Sequence, residues 1–100
     1  MARIPPKVVH VRKAAFDLYI GRAFLEFSES KWANPFRLSD PDDPLERQRC
    51  AEDYEAYIRG RVDLIAALHE LEGLTLGCWC RPKAPCHGDV LVKLFKEFVK

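Results

Sequence analysis

The strongest constraint on the fold sits late in the chain. "LTLGCWC", residues 74–80, is an apolar run of strand length that reads as a buried strand. After the short loop "RPKAP", "HGDVLVKLFKEFV" places Val90, Leu91, Leu94, Phe95 and Phe98 on one helical face. A strand, a loop and a helix therefore close the chain, and the partner strands must come from much earlier. "KVVHVRK" alternates Val9 and Val11 with His10 and Arg12, and "DLYIGR" sets Leu18 and Ile20 opposite Tyr19 before Gly21.

Two helices separate these strands from the last one. Asp43 can cap, Pro44 suits the first helical position and Glu46 stands three residues on. The following stretch puts Leu45, Cys50, Ala51, Tyr54, Tyr57 and Ile58 near one stripe until Gly60 breaks it. A second helix then carries Val62, Ile65, Leu68 and Leu71 inward and ends at Gly73. Before both helices runs a long polar loop, "SESKWANPFRLSDPDDP", in which Trp32 and Phe36 are apolar enough to pack down as anchors. The expected fold is α/β: one domain over residues 1–100, a two-layer or three-layer sandwich with a short, at least partly parallel sheet. Its C-terminal strand-loop-helix is the candidate site.

With 48% hydrophobic and 31% charged residues, the composition is that of an ordinary globular domain. No apolar run reaches membrane-span length and no signal-peptide core opens the chain, so a cytoplasmic protein without membrane partners is expected. The net charge of +1 hides an uneven distribution. Residues 1–38 carry seven Lys/Arg against three Asp/Glu, residues 39–73 four against ten, and residues 74–100 five against two. Basic ends that meet in the fold would form a patch for a phosphate-bearing ligand.

Cys78, Cys80 and Cys86 fall within nine residues, with His87 next. In a reducing compartment such clusters are more often ligands, reactive thiols or small buried residues than disulfides, and a Cys78–Cys80 bridge is geometrically awkward. Four readings stay open at this point. Zinc would take Cys78, Cys80, Cys86 and His87, although the spacing is not that of a finger or ribbon. Cys86 could be a nucleophile, with His10 a better-placed base than its neighbour His87. Cys86, His87 and the following amides could hold an anion at a helix N-terminus. Or the cysteines simply pack beneath the helix.

Several separate stretches, "VVHVRKAAFDLYIGR", "SKWANPF", the Arg/Tyr-bearing helix and "LGCWCRPKAPCHGDVL", together resemble the domain of unknown function 4326 family of small bacterial and phage proteins. The resemblance implies marked positions at His10, Arg12, Tyr19, Gly21, Arg22, Lys31, Trp32, Asn34, Pro35 and Phe36. It extends them to Tyr54, Cys78, Trp79, Cys80, Cys86, His87, Gly88 and Asp89. Ala33 stands where that family usually shows glycine. The C-terminal segment is also similar to the domain of unknown function 488 family, but Gly88 replaces that family's arginine.

Cations beside stacking rings suit a nucleotide or a single strand of nucleic acid. The expected function is binding of a nucleotide-like or phosphate-bearing small molecule between loop 30–36 and turn 80–89, with no cofactor. Arg12, Arg22 and Lys31 would supply charge, Tyr19 or Trp32 stacking, and His10, Asn34, Cys78, Cys80 and Gly88 the remaining contacts. An enzymatic version would use Cys86 or His87 as nucleophile or acid/base, with Asp89 orienting His87. Two alternatives stand beside it, a zinc-stabilised interaction module and a nucleic-acid-binding accessory protein. A pI near 7.7 is low for the latter.

Overall fold

The computed structural model describes residues 3–40, 42–79 and 86–99. Three strands, β1 (Lys7–His10), β2 (Leu18–Tyr19) and β3 (Thr75–Cys78), form one sheet in the order β1-β3-β2. Both pairings are parallel, with Val8 and Leu18 each opposite Leu76. The late apolar run is thus the central strand, flanked on both edges by the earlier ones. Parallel pairing needs crossovers, and the loop and helices between β2 and β3 supply one.

Helix α1 (Pro44–Arg59) starts where its local signals place it: Asp43 accepts from Leu45 N at 3.0 Å, and Gly60 N–H closes onto Ala56 O at 3.1 Å. Glu46 does not complete a capping box. Its carboxylate reaches back past Asp43 to Ser39 N and Oγ and to Asp40 N, tying the polar loop to the helix start. Helix α2 (Val62–Ala67) tightens into a 3₁₀ turn over Leu68–Leu71. Gly73 follows at φ +71°, a conformation that glycine adopts without steric cost, and its N–H reaches Ile4 O at 2.8 Å. Helix α3 (His87–Phe98) closes the fold.

The helices cover the sheet face that presents Leu76 and Cys78, and the core joins these to Ile20, Tyr54, Ile58, Leu91 and Phe95. On the opposite face Phe16 fills the space over Gly77, and Tyr19, Phe27 and Trp79 continue that aromatic cover. Two layers result, within the expected α/β class. Trp32 is 1% exposed and anchors the polar loop, with Tyr54 Oη donating to its carbonyl at 2.6 Å.

Phe36, expected to pack down as a loop anchor, is 38% exposed, and three inward helical assignments are also corrected. Leu45 is 68%, Val62 83% and Phe98 44% exposed. Each lies in a terminal turn, where the stripe has run past the layer beneath it. The break at Gly60 also resets the helical phase, so the buried stripe of the second segment is Leu64, Leu68 and Leu71. Phe98 instead carries the Arg59 guanidinium over its ring at 5.7 Å.

Candidate functional site

Parallel strands deliver their carboxyl ends to one edge of the sheet, the usual place for ligands in α/β folds. A cavity of about 450 Å³ opens there, beyond β2 and β3. Tyr19 and the turn after it (Gly21, Arg22, Phe24) form one wall together with Trp79. Asn34, Phe36 and Arg37 of the long loop, with Arg47 and Cys50 of α1, form the other. Cys86 and His87 at the start of α3 complete the lining.

Its electrostatics are one-sided. Arg22, Arg37 and Arg47 line the cavity, and no carboxylate does among the described residues. The Arg22 guanidinium spans the opening, donating through Nε to Asn34 O at 2.8 Å and through Nη2 to Phe36 O at 2.9 Å. These acceptors are neutral carbonyls, so the fork is fixed in place while its charge is kept. Arg47 is only 6% exposed, on the same stripe of α1 as Tyr54 and Ile58. Arg37 is exposed at the rim.

The aromatic wall is rigidly built. Trp79 Nε1 donates to Tyr19 Oη at 2.9 Å, and Tyr19 in turn donates to Arg22 O. Tyr19 stacks on Phe27 with centroids 4.6 Å apart, and burial raises its phenol pKa above the ordinary value. Phe24 meets the Trp79 ring edge-on at 5.2 Å yet stays 53% exposed. The turn beyond it puts Leu25 at φ +53°, a left-handed conformation that costs a residue with a Cβ about 1–2 kcal/mol.

At the start of α3, Cys86 is the N-cap. Its sulfur accepts from Gly88 N at 3.4 Å, while Asp89 Oδ2 accepts from Cys86 N at 2.9 Å. Asp89 is thus a capping carboxylate. His87 Nε2 donates to Ile20 O at 2.8 Å, which turns Nδ1 towards the Cys86 sulfur, 4.0 Å away. Burial pushes the His87 pKa below its ordinary value despite the Ile20 carbonyl, so the ring is neutral near pH 7. Cys86 is disulfide-bonded, against the sequence expectation, and in this state offers no thiolate. The Cys78 thiol, fully buried, lies 3.4 Å from its sulfur.

Of the residues singled out in the sequence, Tyr19, Arg22, Asn34, Cys86 and His87 share the cavity wall. Others stand apart. Arg12 lies 5.3 Å from the Trp79 ring centroid, His10 meets that ring edge-on at 5.8 Å, and neither lines the cavity. Lys31 pairs with Glu70 at 2.7 Å beside a second, smaller hollow, and Trp32 is sealed in the core, where no ligand can stack on it. Gly88 serves packing, since a Cβ there would come within 2.7 Å of Val8. Cys80 lies outside the described residues. No group of three or more His, Cys, Asp or Glu is arranged to hold a metal among the described residues.

Sequence reasoning passed over Arg37, Arg47, Phe24 and Cys50 as cavity residues. Arg47 had a readable signal: it lies seven and eleven residues before Tyr54 and Ile58, on the buried stripe, where a cation is seldom found.

A family model described as Domain of unknown function (DUF4326) matches residues 7–97. The chain belongs to this family. An uncharacterized protein of Acanthamoeba polyphaga mimivirus is 34% identical over 95 residues, covering 84% of this chain and 70% of its own length. An uncharacterized 12.4 kDa protein from the nrdA-td intergenic region of Enterobacteria phage T4 is 29% identical over 94 residues, covering 94% of this chain and 81% of its own. No solved structure matches this DUF4326 chain. No helix of it is long and apolar enough to cross a membrane among the described residues.

Proposed function

We propose that this DUF4326 domain binds a nucleotide-like or phosphate-bearing ligand in the cavity beyond β2 and β3. The observation that carries the reading is the lining itself, three arginines with aromatic rings and, among the described residues, no carboxylate. Guanidinium groups pair with phosphate oxygens through fixed forks, and the partly buried setting strengthens such contacts over their value in water. Arg22 comes already oriented by its two carbonyl acceptors, so little side-chain entropy remains to be lost on binding. With Cys86 in a disulfide, His87 committed to Ile20 O and Asp89 to the cap, the geometry favours binding over a reaction.

Calorimetric titration of the purified domain with nucleoside monophosphates, inorganic phosphate and pyrophosphate tests this. Binding should weaken as salt rises, and Arg37→Ala, at an exposed position, should weaken it roughly tenfold while the thermal midpoint holds. The absence of binding by every phosphate-bearing compound would overturn the reading.

A further inference from the structure

The aromatic and cationic residues of the cavity come largely from different elements, and that arrangement narrows the ligand class. Resting on the reading above, we infer that the ligand is a single nucleoside phosphate, its base against Phe24 and its phosphate towards Arg37 and Arg47.

The aromatic end belongs to the sheet side of the cavity. Tyr19 and Trp79 are locked to each other, and the Tyr19 ring is already covered by Phe27. Phe24 is the aromatic residue of this wall whose surface is left half uncovered. It is held out by a two-residue turn closed by reciprocal Phe24–Phe27 backbone hydrogen bonds, with the left-handed Leu25 at its tip. Strain of this kind persists only where the surroundings enforce it. An apolar ring held at a cavity mouth at that cost supplies a flat face, and flat faces recognise nucleobases without regard to which base it is.

The cationic end belongs to the loop and α1. Arg37 and Arg47 stand on this opposite wall, and Arg22 reaches across between the two walls. A planar apolar group at one end and two or more negative charges at the other describe a nucleotide better than a free base or a bare phosphate. The volume of about 450 Å³ lies in the lower half of the roughly 300–1,000 Å³ typical of small-molecule sites, which suits one nucleotide and not two.

The experiment compares AMP, adenosine, ribose 5-phosphate and the dinucleotide ApA on the intact chain and on Phe24→Ala and Phe24→Leu, with thermal midpoints as a folding control. The expected result is AMP binding at least tenfold tighter than ribose 5-phosphate, with adenosine and ApA weaker than AMP. Both Phe24 variants should bring AMP down to the ribose 5-phosphate level and leave ribose 5-phosphate itself unchanged. Equal binding of AMP and ribose 5-phosphate, or AMP binding unaltered in both variants, would overturn the single-nucleotide inference while leaving an anion site standing. Tighter binding of ApA than AMP would overturn the one-nucleotide limit. Failure of AMP and ribose 5-phosphate while inorganic phosphate or pyrophosphate binds would overturn this inference alone, and failure of every phosphate-bearing compound would overturn the reading beneath it as well.

Discussion

Arg22 and Asn34 are joined by a 2.8 Å hydrogen bond from guanidinium Nε to backbone carbonyl, and both residues line the cavity. A second arm of the same guanidinium holds Phe36 O at 2.9 Å. Lysine keeps the charge but lacks the planar fork that holds both carbonyls from fixed donor positions. Arg22→Lys is therefore expected to cost about 1–2 kcal/mol of stability, measured by urea unfolding, and to weaken ligand binding although the net charge is unchanged. Binding equal to the parent would show that charge alone matters there.

His87 gives the stability curve a characteristic slope. Its folded-state pKa lies below the ordinary 6.5 because burial disfavours the imidazolium. The unfolded chain thus takes up a proton that the folded chain refuses. The stability this group contributes is fully present above pH 6.5 and falls as pH drops from there towards the lowered folded value, by up to about 1.4 kcal/mol per pH unit. His87→Gln retains a donor for Ile20 O and should flatten unfolding free energy between pH 7.5 and 5. The carboxylates with lowered pKa, Glu46, Glu55, Asp63 and Glu70, lose their contributions at lower pH and leave this window clear.

Cys50 reports on the cavity from inside its wall. It is a half-buried thiol that accepts from Asn34 Nδ2 at 3.4 Å, whereas the Cys78 thiol is fully buried. Under native conditions iodoacetamide should modify Cys50 at least tenfold faster than Cys78, read by peptide mass spectrometry. A bound nucleotide should slow the Cys50 reaction. Unchanged labelling at saturating ligand would place the ligand elsewhere.

Gly88 fixes how closely α3 approaches β1. A methyl group there would meet Val8 Cγ1 at 2.7 Å and Ile20 Cδ1 at 3.2 Å. Gly88→Ala should lower stability by about 1–2 kcal/mol by urea midpoint, the steric cost exceeding the gain in helix propensity. A more stable variant would mean that α3 can shift outward freely.

Local chemistry was legible in the sequence, and long-range convergence was not. Asp43, Pro44 and Gly60 mark the ends of α1 because caps and breakers act over a few residues. Strand β3 and helix α3 were visible for the same reason. Glu46 satisfies a capping-box pattern, yet it bonds Ser39, because the choice between two nearby N–H donors depends on where the loop lies. Leu45, Val62 and Phe98 obey helical spacing and still face solvent, since spacing fixes a stripe and not the extent of the layer that covers it. Arg12 and Lys31 shared the cationic character of Arg22, but only the fold decides which cation faces the cavity. Arg37 and Arg47 reach one space from a loop and a helix, ten residues apart along the chain, a convergence no local pattern announces.

An amide chemical-shift titration of the isotopically labelled chain with AMP tests the cavity assignment most directly. Shifts confined to the cavity lining, Arg22, Phe24, Asn34, Arg37, Arg47 and Trp79 among them, saturating with one site and shrinking as salt rises, are the expected result. Saturable shifts centred on another surface, or no shifts at millimolar nucleotide, would contradict it.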